Sequence, residues 1–414
     1  MFALIDCNNF FVSCERAFNP KLENKPVAVL SNNDGCIISR SNEAKKMGIH
    51  MGDPFFLHEE KIKKGQLTVT SSNFSLYADI SYRIYKCIET FGVDYEIYSI
   101  DEAFIPLYMP GQELYWMKQL QKDILQCTSI PTSIGIAPTK TLAKFATSIA
   151  KNNQGIFNIS DAEKAKALLS NISLDKIWGI GSKTAKKLAK KQLYTAADLI
   201  NSEHEQIKKW TNITVAQTRL ELLGIPCLTS EKLSSPQSIL SSRSFKRPLK
   251  DKEDLIQALS SYCAIAIKKL RKRQLKTSFI SIFIETSRFS NSYYSNSACS
   301  YLTTPVDTLP SLLQIIRSLL TKIFKPGLEY KRCGVIFLDL SSSCVSQKDL
   351  FTASTDEIKE ENAMLALEKI QKKYHDKAIY FASEGIHKLW AFNNAFRSPR
   401  YTTCWEELPH VDLD

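Results

Sequence analysis

Two apolar runs of strand length carry acids where a buried strand has no natural use for them. Phe2–Asp6 is short, apolar and ends on Asp6, and Tyr98–Phe104 reads Tyr-Ser-Ile-Asp-Glu-Ala-Phe, with Asp101 and Glu102 inside it. Burying a carboxylate is expensive unless it is paired or binds a cation. Three such acids gathered in one core would repel each other. Hard divalent ions relieve that repulsion, and carboxylate oxygen suits Mg²⁺. Two ions roughly 3.5–4 Å apart hold both the attacking and the leaving oxygen of a phosphoryl transfer. The plainer reading is that Asp6 caps a helix and that strand alternation turns one of Asp101 and Glu102 to solvent.

The chain has 414 residues, enough for two to four domains, and its 44% hydrophobic and 23% charged residues are ordinary globular usage. The most apolar stretches are strand-length, far short of the ~18 residues of a spanning helix. Met1–Phe11 has no basic region and already holds Asp6, so it does not read as a secretory signal. Eleven scattered cysteines without Cys-x-x-Cys, and six histidines away from them, argue against a zinc site or disulfide framework and for a reducing cytoplasm. The net charge of +11 is unevenly spread: −1 over 1–165, +5 over 166–239, +10 over 240–345 and −3 over 346–414. A near-neutral part followed by two basic ones suggests a chemical module joined to grips for a polyanion, against the bland alternative of a lysine-rich solvated surface.

Periodicity predicts strands at Phe2–Asp6, Pro26–Leu30, Glu96–Leu107 and Thr132–Ile136, with helices at Ser41–Met47, Tyr77–Phe91, Tyr115–Cys127 and Lys140–Ala150. Their alternation suggests one α/β sandwich over about 1–165. Ala162–Trp210 reads as helical and lysine-rich, and Ser-rich Thr229–Arg243 as a linker. A second module then runs strand–helix–strand–helix–strand through Arg243–Arg247, Lys252–Lys272, Ser278–Thr286, Thr308–Phe324 and Cys333–Leu340, followed by a helix at about 356–373 and an aromatic terminal segment.

Three further patterns stand out. Leu174–Leu188 has the form of a helix-hairpin-helix, in which Gly179 and Gly181 would let backbone N–H groups approach a phosphate while Lys183, Lys186 and Lys187 add charge; a plain helix-to-helix turn is the alternative. Lys268–Arg273, with Arg243, Lys246 and Arg247, is either part of a grip for a polyanion or a charged helix end. Gln347-Lys-Asp-Leu350-Phe351 suits a peptide docking into an apolar pocket, or a local cluster.

Phe2–Phe11, Ser31–Gly35, Met51–Pro54, Tyr98–Phe104 and, near the end, Pro399–Trp405 together resemble the Y-family translesion DNA polymerases, most nearly the UmuC-type branch that supplies the catalytic subunit of bacterial DNA polymerase V. The resemblance runs along essentially the whole chain. It implies a mixed α+β, multidomain right hand: palm at 1–19 and 75–165, fingers at 20–74, thumb at 166–232, a linker at 233–242, little finger at 243–345, and a tail at 346–414.

It also implies roles. Asp6, Asp101 and Glu102, with the Cys7 carbonyl, would hold two Mg²⁺, with Mn²⁺ as a substitute. Phe11 would be the steric gate against a ribose 2′-OH; many relatives carry Tyr there. Ser39, Asn42, Lys45 and Lys151 would contact the triphosphate, although other branches commonly have Tyr and Arg where Asn42 and Lys45 stand. Gln347, Leu350 and Phe351 would bind a sliding clamp. The implied partners are primer–template DNA, dNTPs, the clamp, a UmuD-type accessory subunit and a RecA filament, with low-fidelity synthesis in the SOS response, in the bacterial cytoplasm and on the nucleoid. The rival readings are a two-metal nuclease and a non-catalytic DNA-binding subunit.

Overall fold

In the computed structural model, residues 1–108, 111–152, 155–228, 236–289, 292–343, 354–374, 378–386, 388, 390 and 395–408 are described. They fall into two compact units, 1–232 with 394–414, and 233–393.

Among its described residues the first unit contains eight strands: β1 (Phe2–Cys7), β2 (Val27–Leu30), β3 (Ile37–Arg40), β4 (Thr68–Ser71), β5 (Glu96–Ile97), β6 (Glu102–Pro106), β7 (Thr132–Ala137) and β8 (Ile156–Asn158). They form two sheets, β5-β6-β1-β7-β8 and β3-β2-β4, rather than one sandwich. The expected strand Glu96–Leu107 is also two strands. Glu96 pairs with Phe104 and Ile97 with Ala103, so 98–101 form the turn of a hairpin and the acid pair sits at its mouth. The alternation on either side of that turn made one strand of the two.

β1 shows why the sheet buries both faces. Ala3, Ile5 and Cys7 enter one core with Tyr77, Ile80, Ile84 and Leu120, from the helices Phe74–Thr90 and Glu113–Thr128. Leu4 enters another with Leu142, Ala143 and Ala146 of the helix Lys140–Ala150. A period of two thus places Asp6 in the row of Phe2 and Leu4, toward that last helix. The helix lies almost on the backbone of β7: a Cβ built at Gly135 would stand 2.2 Å from both Ala143 O and Thr147 N. Beyond it, the short helices Ala162–Leu169, Ser182–Ala189, Ala196–Asn201, His204–Trp210 and Ile213–Leu222 complete the same core.

The second unit is an antiparallel sheet of β9 (Ile239–Leu249), β10 (Leu275–Thr286), β11 (Ser295–Val306) and β12 (Tyr330–Ser342), in the order β11-β10-β12-β9. The helices Lys252–Lys272 and Leu309–Ile323 build its core against Ile280, Ile282, Ile284, Val335 and Phe337. Two expectations change here. β9 begins at Ile239, inside the presumed linker, because Ile239 and Ser241 are buried against β12. β11 has no counterpart among the predicted strands; its Ser-, Asn- and Thr-rich run lies at the sheet edge, where none of its residues is fully buried and the apolar signal is weak. The helix Ser354–Tyr374 belongs to this unit, through Met364, while 395–408 belong to the first.

Substituting Gly135 by Ala is expected to destabilise the first unit by about 1–3 kcal/mol or more, because the contacts are backbone atoms that cannot swing away. Urea unfolding followed by circular dichroism checks this; an unchanged midpoint would show that the helix can lift off β7 without cost.

Candidate active site

The site starts from strand register. Asp6 and Glu102 are direct partners across the β1–β6 ladder, and Cys7 N donates to Asp101 O at 2.9 Å just beyond it. The hairpin mouth closes on Glu102 O, which accepts from Tyr98 N at 3.0 Å and Ser99 N at 3.1 Å. The Asp101 carboxylate turns into this mouth and accepts from Ser99 Oγ at 2.6 Å. The structure therefore brings Asp6 and Glu102 side by side and holds Asp101 next to them on a serine.

Three lysines face these acids. Lys140, Lys144 and Lys151 lie four and seven residues apart, within about 40° of each other around a helix, and so share a stripe. Lys151 Nζ contacts Asp6 Oδ2 at 2.8 Å, Lys144 Nζ contacts Glu102 Oε1 at 2.6 Å, and Lys140 Nζ contacts Glu96 Oε2 at 2.6 Å. Of these, only Lys151 was singled out from the sequence. The signal for Lys144 was its place on the stripe.

Asp6 is 8% exposed. Burial pushes its carboxyl up to about 7; Lys151 pulls it down, and the neighbouring Glu102 adds to the rise. Burial likewise raises the Cys7 thiol, with Asp101 and Asp6 adding to it, so the thiol stays protonated. Among the described residues, no three His, Cys, Asp or Glu side chains stand ready-made to hold a metal ion. The donor set nevertheless suits a hard cation: the buried Asp6 carboxylate, the half-buried Glu102 beside it and Asp101 in the adjoining turn, with two ammonium groups against them.

A cavity of about 460 Å³ opens on this row, lined by Asp6, Glu102, Lys144, Lys151 and Asp175–Trp178. Trp178 Nε1 donates to Tyr98 OH at 2.9 Å, and Lys144 Nζ lies 4.6 Å from the Tyr98 ring centre and 5.7 Å from that of Trp178. The loop before Ser182–Ala189 thus meets the first sheet beside Glu102. A larger cavity, about 1140 Å³, lies in the second unit beside Ser354–Tyr374, and none of Asp6, Asp101 and Glu102 lines it. There Arg271 pairs with Asp307, Glu361 and Glu368, so this member of the basic run is structural.

At the end of β1, Asn9 adopts φ 49°, a left-handed bend that Asn tolerates and that turns the strand into the helix Phe10–Phe18. Half-buried Phe11 stacks on Tyr77, with ring centres 4.5 Å apart and planes 18° apart. Asn42 Oδ1 accepts from Asn9 Nδ2 at 3.2 Å and from Lys45 Nζ at 3.3 Å, and Ser39 Oγ donates to Asn9 O at 3.5 Å. These residues therefore gather round the start of the Phe11 helix. Burial lowers the Lys45 ammonium, and Arg40 and Lys151 lower it further. Arg40 belongs to this cation group and was not singled out in the sequence.

Gly179 has φ +86°, and an added Cβ would come within 3.1 Å of Thr218 Oγ1; at Gly181 it would meet nothing within 4 Å. The fold needs the first glycine and not the second. Lys183, Lys186 and Lys187 are exposed on Ser182–Ala189. On β9, Lys246 and Arg247 are exposed, whereas Arg243 is half-buried and its charge acts on Tyr262 and Lys269. Gln347, Leu350 and Phe351 lie outside the described residues.

Known proteins fit this geometry. Profiles of the impB/mucB/samB family match residues 5–148, and those of its C-terminal domain match 236–350. The IMS family HHH motif matches 162–193, and a domain of unknown function, DUF4113, matches 361–411. The protein UmuC of Salmonella typhimurium is 38% identical over 99% of this chain and 100% of its own length. The protein MucB of Escherichia coli is 34% identical over 99% of both. DNA polymerase IV 1 of Bacillus subtilis is 26% identical over 91% of each chain. Among solved structures, a Y-family DNA polymerase chimera of Dbh and Dpo4 superposes with a TM-score of 0.67 at 19% identity, over 82% of this chain and 99% of its own. The chain belongs to the impB/mucB/samB family, on the fold of the Y-family DNA polymerases.

Proposed function

We propose that this chain is a translesion DNA polymerase: it adds dNTPs to a primer 3′-OH on a DNA template, with low fidelity, in the response to DNA damage. The observation that carries this reading is the pair of facing carboxylates, Asp6 and Glu102, set against Lys151 and Lys144 at the mouth of a palm-like sheet.

Asp6, Glu102 and Asp101, with the Cys7 carbonyl, are the groups that would hold the divalent cations, two Mg²⁺ per site with Mn²⁺ as a substitute. Such ions, when bound, make the attacking hydroxyl more acidic and balance charge on the phosphates. The chain's own residues do the positioning. Lys151, Lys45 and Arg40 offer positive charge to the triphosphate, with Ser39 and Asn42 beside them. Phe11 presents its ring where a 2′-OH would sit. The hairpin N–H groups of Gly179–Gly181, the lysines after them, and Lys246 and Arg247 grip DNA phosphates without reading bases, with Arg243 behind them. Gln347, Leu350 and Phe351 would dock a sliding clamp, and a UmuD-type subunit and a RecA filament are the proposed protein partners. A chain with these partners works in the cytoplasm, on the nucleoid.

With primer–template, dNTPs and Mg²⁺ or Mn²⁺, the protein is expected to lengthen the primer; shortening would identify a nuclease instead. Asp6→Asn is expected to lower extension at least about a hundredfold while leaving DNA affinity intact. Equal loss of both would mean that Asp6 holds the fold rather than the reaction. Gly181→Ala is expected to keep the thermal midpoint and weaken DNA binding several-fold, because the added methyl meets only the space a phosphate would use. Unchanged affinity in a titration would remove the hairpin from the grip.

A further inference from the structure

Residues 395–408 have no part in the chemistry just described, yet they are bound into the first unit at several points. Phe396 N donates to Ser71 Oγ at 2.9 Å, Ser71 N donates to Phe396 O at 3.0 Å, and Ser71 bridges Arg397 in parallel. The segment thus lengthens the fingers sheet at its β4 edge. Ala395 N donates to Asp34 Oδ2 at 3.1 Å, inside a turn whose Asn33 and Asp34 both have positive φ, at 60° and 53°. Phe55 meets Phe396 at 6.0 Å between ring centres, and on the palm side Phe18 stacks on Tyr401 at 5.0 Å with planes 9° apart.

Between these anchors the segment touches the aromatic cluster behind Phe11. Asn73 caps the helix Phe74–Thr90 through Oδ1, which accepts from Leu76 N at 3.4 Å. Its Nδ2 donates to Ser398 Oγ at 3.0 Å and to Pro399 O at 3.0 Å. The Ser398 side chain also acts on the Glu15 carboxyl: burial raises it, and Tyr77 and Ser398 draw it back down. Glu15 is 1% exposed and accepts from Tyr77 OH at 2.7 Å. Phe74 and Tyr77 are the rings against which Phe11 packs, at 6.0 Å and 4.5 Å between centres. Ser398 therefore holds the cap of the helix carrying both rings and bears on the acid that fixes one of them.

We infer that residues 395–401 are a positioning element for sugar selection: they pin the fingers to the palm and, through Ser398, Asn73 and Glu15, hold Tyr77 and Phe74 so that Phe11 stands at a fixed height over the incoming nucleotide. The inference rests on the reading of Phe11 as the gate. It gives this segment, which lies in the stretch matched by a domain of unknown function, a defined task in substrate choice. Ser398 touches no reacting atom; it acts through the aromatic stack.

The test uses the full chain. Ser398→Ala combined with Tyr401→Ala is compared with wild type for dNTP and rNTP incorporation on one primer–template, with kcat and KM separated. Ser398→Thr, which keeps the hydroxyl, is the rescue, and Phe11→Ala is the reference. The double variant is expected to lose about tenfold in deoxy-over-ribo discrimination, chiefly through a raised KM for dNTP and a lowered one for rNTP. Ser398→Thr with intact Tyr401 is expected to restore it. Thermal unfolding is run beside each. A fall in kcat for both sugars with discrimination unchanged, or a lower melting midpoint alone, would make the segment a plain structural brace and overturn the inference. If Phe11→Ala leaves discrimination intact, the gate reading falls and the inference with it. If Phe11→Ala loses discrimination and the double variant keeps it, the inference alone falls.

Discussion

The helix Lys140–Ala150 and the turn after it carry positive charge on a single stripe, and the first sheet answers with Glu96, Glu102 and Asp6. Most of the first unit can be understood as the means of keeping these two rows in contact. Charges held partly out of water need partners at hydrogen-bond distance, and each of these pairs keeps one side chain open enough for solvent to screen part of the attraction. Gly135 lets the helix come down far enough for the pairs to close, and Thr147 ties the helix to Leu4 O at 3.3 Å. The same closeness keeps Asp6 dry, and dryness lifts its carboxyl to about 7. A carboxyl so placed gains more from an arriving cation than one exposed to water.

Lys151 and Lys144 set positive charge directly against Asp6 and Glu102, which offsets the repulsion between the two acids. Lys144 has further partners in the rings of Tyr98 and Trp178, which bring the helical subdomain's hairpin to the edge of the acid row. Cation, ring and carboxylate there form one continuous contact between the surface proposed to grip DNA and the groups proposed to do chemistry.

Much of this could be seen in the residues. Asp6, Asp101 and Glu102 stood out because acids are foreign to apolar strands, and the helices Lys140–Ala150 and Lys252–Lys272 carry their bounds in their periodicity. What remained hidden was hidden for physical reasons. The hairpin at 98–101 breaks a strand without breaking the alternation on either side of it. β11 is an edge strand whose polar residues carry little burial signal. Lys144 and Arg40 acquire meaning only through partners distant in the chain, which spacing alone does not name. The terminal residues 395–408 looked like an aromatic tail without purpose, because their partners, Ser71, Asn73 and Glu15, lie more than three hundred positions earlier.

The ladder between β1 and β6 has one more implication. Its pairs run Phe2 with Pro106, Leu4 with Phe104 and Asp6 with Glu102, all in one row. A shift of a single residue in the first strand would exchange the two sides of the ribbon: the thiol of Cys7 would face the lysines, and the carboxylate of Asp6 would sink among Ile80 and Ile84. The first seven residues therefore tolerate exchange of one apolar side chain for another far better than they tolerate an insertion or a deletion, because parity along the chain decides whether the acid meets its cation at all.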